Sequence, residues 1–158
     1  MGLFSKELSI LAPVSGKVIP LEQVPDAVFS QKLAGDGVAI EPSGNVAVAP
    51  ADGEVTMIFK TNHAYGITLD NDIELLIHIG IDTVNMKGSG FKRLVEQGSK
   101  VKAGTPIIEF NREAIKEEGF SCITPVLIVN PEKLKEMKPA HGKDVIQGQD
   151  AVIQYKTK

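Results

Sequence analysis

The clearest pattern in the chain lies over residues 73–81, where Ile73, Leu75, Ile77, Ile79 and Ile81 take every second position. A β-strand turns alternate side chains to opposite faces, so this spacing predicts a strand with one continuous apolar face against the core. Glu74, Leu76, His78 and Gly80 fall on the other face. There Gly80, having no side chain, is expected to leave open space beside the His78 imidazole. A second strand is expected over residues 63–69, and Asp70-Asn71-Asp72 between the two is a turn signal, so they should form a hairpin. His63 and His78 lie equally far from the middle of that turn, which makes them close cross-strand neighbours.

Further short strands are expected over residues 38–40, 46–49 and 54–59. They are punctuated by Gly35-Asp36-Gly37, by the run from Glu41 to Asn45, by Pro50 and by Asp52-Gly53. Such spacing suggests an antiparallel sandwich or barrel. Helical signals are few. Phe91, Leu94 and Val95 share helical spacing before Gly98, Asn111 can cap a short helix that stops near Gly119, and Asn130-Pro131 can open a third through Lys135. The chain also repeats itself. Ala12-Pro13-Val14-Ser15-Gly16-Lys17-Val18 recurs as Ala49-Pro50-Ala51-Asp52-Gly53-Glu54-Val55. The run Val101 to Gly104, followed by Ile107 to Phe110, is echoed by Val145 to Gly148 and Val152 to Tyr155, with one residue inserted. Two such pairs point to a β-fold built from related halves.

Composition narrows the function. Apolar residues at 42% and charged residues at 23% of 158 are those of a globular chain that buries its core without disulfides. A net charge of −3 and the absence of Trp argue against a general nucleic-acid binder. The single cysteine, Cys122, excludes an internal disulfide and a Cys-cluster zinc site, and its apolar surroundings make it a small core residue. No secretory signal or membrane-spanning run is visible. The start resembles an acylation signal, but Lys6 stands where Ser or Thr is required, and residues 1–9 offer only Leu3, Phe4 and Leu8 as apolar contacts. The protein is expected in the cytoplasm. Of the other residues with side-chain chemistry, His141 is expected in a loop.

Two histidines meeting on one sheet face suggest nucleophilic chemistry. A neutral imidazole is a good nucleophile near pH 7, and a hydrogen bond to one ring nitrogen holds the other in one tautomer. The second imidazole can donate to an incoming anion.

The block His78-Ile79-Gly80-Ile81-Asp82-Thr83-Val84, with Lys87-Gly88 and Gly90-Phe91 after it, resembles the active-site signature of the glucose-type enzyme IIA of the bacterial phosphoenolpyruvate-dependent sugar phosphotransferase system. Thr61-Asn62-His63-Ala64, the run Val24 to Phe29, Gly35 to Ile40 and Ala12 to Gly16 match in the same order. The resemblance implies an all-β fold: an antiparallel barrel-sandwich with a duplicated hybrid motif and a few short helices. It also implies a short N-terminal segment, residues 1–8, ahead of one enzyme IIA domain, residues 9–158. By resemblance, His78 takes a phosphoryl group from the phosphocarrier HPr and passes it to a cysteine of an enzyme IIB during sugar uptake. His63 supports the transfer by hydrogen bonding, and Thr61 orients the pair. Asp26 and Asp82 flank the site as acidic docking residues, and Val28, Phe29, Phe59 and Leu76 form an apolar docking rim. Leu76 and Ile79 stand where the family favours aromatics, which implies a smaller rim. No cofactor is required beyond the phosphoryl group on His78.

Other readings compete. His78 and Asp82 have a spacing used by some β-rich zinc hydrolases, though the His-x-His pair of those enzymes is missing. Zinc shared by His63, His78 and a partner's carboxylate is a weaker metal reading. Lys87 after Met86 faintly suggests a swinging-arm carrier, but the adjacent Gly88 fits a flexible loop better. A purely regulatory protein, binding transporters or kinases according to its phosphorylation, is the last alternative.

Overall fold

The computed structural model describes residues 6–158. Its first strands are β1 (Leu8–Leu11), β2 (Gly16–Pro20), β3 (Asp36–Pro42), β4 (Val46–Val48) and β5 (Gly53–Ile58). The hairpin follows as β6 (Ala64–Thr68) and β7 (Glu74–His78). Then come β8 (Phe91–Arg93), β9 (Lys100–Val101), β10 (Pro106–Phe110), β11 (Thr124–Ile128), β12 (Leu134–Pro139), β13 (Asp144–Val145) and β14 (Ala151–Thr157). Among the described residues, helix is confined to α1 (Ala27–Ser30), α2 (Arg112–Glu117) and short 3-10 turns. Of the N-terminal segment, residues 1–5, with Leu3 and Phe4, lie outside the described residues, while Leu8 already pairs with Tyr155.

All pairings are antiparallel, in an eight-stranded sheet of order β13-β2-β3-β11-β7-β6-β5-β9 and two three-stranded sheets, β1-β14-β12 and β4-β10-β8. The main core lies between these sheets. It takes Ile73, Leu75, Ile77 and Ile79 of the alternating stripe, together with Val38, Ile40, Val126 and Ile128, whereas Ile81, expected on the same face, lies beyond the left-handed Gly80 and packs into the second core. Ile77 is fully buried and sits in register between Tyr65 and Val126. Ile77→Ala should therefore lower the free energy of unfolding by about 3 kcal/mol, through lost transfer energy and an unfilled cavity. Urea denaturation should show this as a lower midpoint at an unchanged slope.

The repeats are a structural duplication. Leu11 N–H donates to Pro50 C=O at 2.8 Å, and its counterpart Val48 N–H donates to Pro13 C=O at 2.7 Å. In the same way Gly148 N–H bonds Ala12 C=O at 2.9 Å, and Gly104 N–H bonds Ala49 C=O at 2.8 Å. The halves therefore cross at the two Ala-Pro corners. A Cβ on Gly148 would lie 3.1 Å from the Gly104 backbone, so the equivalent glycines meet at that crossing.

The two strands beyond β7, β11 and then β3, are buried on two faces. Val38 and Ile40 of β3, and Val126 and Ile128 of β11, enter the main core. Ala39 and Leu127 enter a smaller core on the opposite face, with Ile19, Leu21, Val24, Phe29 and Ile81. The segment from Leu21 to Ser30 is thus a cover laid over that second face. Asp26 sets its helix, its carboxylate accepting from Val28 N–H at 2.8 Å as an N-cap.

Four local expectations meet different outcomes. Asn111 caps α2 by accepting from Ala114 N–H. Phe91, Leu94 and Val95 form no helix. Leu94 is exposed, so the three do not share one buried face, and Phe91 instead pairs with Phe110 across β8 and β10. The helix expected from Pro131 is a single 3-10 turn, Pro131–Lys133, because Leu134 onward pairs with β14. Cys122 is a core residue, its thiol lying 3.6 Å from the Arg112 carbonyl.

Candidate active site

The hairpin forms, but one residue out of the expected register. His78 pairs with Ala64, and Ile79 N–H donates to the His63 carbonyl at 2.7 Å. Strict alternation would then send His63 and His78 to opposite faces. The turn ahead of β6 decides otherwise: Asn62 is left-handed at φ +60°, and His63 precedes the first strand residue. The two imidazoles meet edge to face, with centroids 4.9 Å apart and planes at 81°. Arg93 braces this turn, donating to the Asn62 side-chain carbonyl at 2.8 Å and to the Phe59 carbonyl at 3.4 Å.

Each ring is tied by its Nδ1. His78 Nδ1 lies 2.7 Å from the Gly80 carbonyl. A carbonyl only accepts, so the proton sits on Nδ1, and Nε2 carries the free lone pair. His63 Nδ1 lies 2.6 Å from the Thr61 hydroxyl. When that hydroxyl donates, His63 keeps a proton on Nε2 and becomes a donor beside the lone pair of His78. Gly80 does not act by leaving space. It is left-handed at φ +80°, and a Cβ there would lie 2.5 Å from the Thr83 methyl and 2.8 Å from the Ser121 carbonyl. Its contribution is the carbonyl, aimed by a turn that only glycine adopts without strain.

Burial lowers the His63 pKa to about 4, helped by the neighbouring His78. Burial also lowers His78, against the opposing pull of the Gly80 carbonyl, Asp26 and Asp82. Both rings are therefore neutral at pH 7. The folded pKa of His63 lies below the ordinary 6.5, so the unfolded chain binds more protons there as pH falls from 6.5 to about 4. Stability should fall with pH across that window, by about 3 kcal/mol from His63 at its acid end. Urea unfolding at several pH values should show this slope in the parent and a flatter one in His63→Gln.

The expected docking residues do not all form a rim. Val28 is 47% exposed, whereas Phe29 is 6% exposed and packs on His78 with centroids 5.0 Å apart. Phe29 is thus a wall of the site. Leu76 is half-buried against the smaller core, and Ile79 is fully buried, so size at position 79 has no bearing on the rim. Phe59 is half-buried, edge-on to His63 at 5.2 Å. Asp82 is exposed. Two apolar residues escaped the sequence reading. Met57 (51% exposed) and Val84 (50% exposed) line a groove with Phe59, Thr61 and His63. By alternation Met57 shares the face of the buried Val55 and reads as core; the register shift between Val55 and Met57 turns it outward, and Val84 depends on the fold of its loop. His141 lies in an exposed turn beside Lys143, as expected.

Among the described residues no group of three or more His, Cys, Asp or Glu could hold a metal ion. The chain's own donors would give zinc the His63 and His78 rings, with further ligands from elsewhere. Nor, among the described residues, is any helix long and apolar enough to cross a membrane.

The family model of the phosphoenolpyruvate-dependent sugar phosphotransferase system, EIIA 1, matches residues 8–134. A PTS system glucose-specific EIIA component of Buchnera aphidicola is 47% identical over 149 residues, covering 94% of this chain and 92% of the relative. A PTS system N-acetylglucosamine-specific EIICBA component of Klebsiella pneumoniae is 43% identical over 95% of this chain, which spans 23% of that longer protein. The solved glucose permease IIA from Mycoplasma capricolum superposes with a TM-score of 0.89 at 35% identity, covering 97% of this chain and 99% of that one. Family model, sequence identity and fold agree: the chain belongs to the EIIA 1 family of the phosphoenolpyruvate-dependent sugar phosphotransferase system.

Proposed function

We propose that the protein is a cytoplasmic phosphoryl carrier in which His78 Nε2 takes the phosphoryl group from phospho-HPr and yields it to a cysteine of an enzyme IIB domain. The observation that carries this reading is the pair of neutral imidazoles, each tied through Nδ1. In the first step the His78 Nε2–P bond forms as the donor's N–P bond breaks. The His78 ring gains positive charge, which the Gly80 carbonyl stabilises through Nδ1–H. His63 Nε2–H donates to the phosphoryl oxygens, and Thr61 holds it in that tautomer. In the second step a cysteine thiolate of the enzyme IIB forms an S–P bond as the N–P bond breaks, and the electron pair returned to Nε2 restores neutral His78. Phe29 and Phe59 keep the two rings in place and limit water on their flanks.

The test is incubation with phosphoenolpyruvate, enzyme I and HPr, followed by intact-mass measurement. One added phosphate, acid-labile and alkali-stable, is expected. No mass change with active upstream proteins would overturn the reading.

Docking is proposed to be apolar around Val28, Met57, Phe59 and Val84, with Asp26 and Asp82 attracting a basic partner. Rim charges act mainly on association rate. Asp26→Asn keeps a side-chain oxygen to cap α1, so the double variant with Asp82→Asn removes charge and spares the helix. Phosphorylation by HPr should slow at low salt and approach the parent rate at high salt, because screening confines such charges to ~8 Å at physiological ionic strength. An unchanged low-salt rate would remove both carboxylates from docking.

A further inference from the structure

The carbonyl that fixes His78 belongs to a backbone turn, and one buried hydroxyl ties that turn shut. Thr83 is fully buried, and its Oγ1 donates to the Ile79 carbonyl at 2.6 Å. Its methyl covers the face of Gly80 where a side chain would otherwise sit. From the other side the Ser121 carbonyl accepts from Ile81 N–H at 3.0 Å. The Thr83 hydroxyl thus holds the Ile79–Gly80 peptide and the Ser121 carbonyl holds the next one, which bears the Gly80 carbonyl, while Ile79 N–H is held by the His63 carbonyl. Valine would fill the same volume and supply the same methyl, so packing alone does not call for a hydroxyl here.

We propose that Thr83 is a positioning residue for phosphoryl transfer: its hydroxyl closes the Ile79–Thr83 turn and so holds the Gly80 carbonyl on His78 Nδ1, keeping the reactive lone pair on Nε2. The inference rests on the carrier function proposed above. Loosening the turn lets the Gly80 carbonyl swing away from Nδ1. The neutral ring then populates the other tautomer, in which Nε2 bears the proton and cannot attack phosphorus.

The test uses the unphosphorylated full chain, labelled with 15N in histidine, at a pH where the rings are neutral. In the parent, His78 should give a protonated Nδ1 signal and a bare Nε2 signal. Thr83→Val should give mixed tautomers at His78 and about tenfold slower uptake from phospho-HPr, the lower end of what loss of an orienting outer hydrogen bond does elsewhere. Thr83→Ser keeps the hydroxyl and should restore both the single tautomer and the rate. Thr83→Ala is a second deletion of the hydroxyl, for use if the valine variant does not fold. A single parental tautomer in the folded hydroxyl-less variant would overturn the proposal, whatever its rate, and so would a parent ring protonated on Nε2. A parent that takes up no phosphate would overturn the carrier reading instead, while the tautomer signals would still report on Thr83.

Discussion

His78→Ala should accept no phosphoryl group from phospho-HPr. The reason is chemical, since no other side chain at the site pairs a free lone pair with a fixed tautomer. His63 has its Nδ1 against the Thr61 hydroxyl, and its pKa of about 4 marks it as a poor base. The variant should remain folded, because His78 contributes one half-buried face beside Phe29 and no part of the Ile73–Ile81 stripe. A circular dichroism spectrum like the parent's, with no phosphate in the intact mass, is the expected result. Normal labelling of His78→Ala would place the nucleophile elsewhere.

His63→Gln should fail differently. Glutamine keeps a donor of similar reach, so labelling from phospho-HPr should persist. Onward transfer to an enzyme IIB should slow by ~10²–10³, the usual effect of losing a donor aimed at charge that builds up in a transition state. The glutamine amide has more rotamer freedom than a ring pinned by Thr61 and Phe59, so its donor is less well placed for that charge. Labelling each variant first and then chasing with an enzyme IIB and sugar separates the two steps. If His63→Gln took up nothing while His78→Ala was labelled, the two roles would be exchanged. If both variants relayed phosphate as well as the parent, the paired histidines would not be the site.

Part of this site was legible because it is written locally. The alternation from Ile73 to Ile79 is a property of one strand, and these residues are buried in one core, while Ile81 turns to the other face past Gly80. The duplication was legible because each half repeats its own turn residues, and the Leu11–Pro50 and Val48–Pro13 bonds realise it. The second buried face was legible in principle. Residues 37–40 and 125–128 run apolar without alternating, which is how a strand covered on both sides reads.

By itself, then, the sequence determined the strand-rich duplicated fold, the hairpin and the placing of two histidines at the open end of that hairpin. Periodicity and turn chemistry act over a few residues, and no distant partner is needed to express them. Only the tertiary structure decided which face each histidine uses. The hairpin register would part them, and it is the left-handed Asn62, braced by Arg93 from β8, that brings His63 back to His78. Only packing turned Phe29 from a rim residue into a wall, because the apolar second face of β3 and β11 draws the Leu21–Ser30 segment down onto it. Gly80 likewise acquired part of its role from Ser121, which lies forty-one positions away in the chain. Such contacts arise where surfaces distant in sequence find one another, and local patterning carries no record of which surfaces those will be.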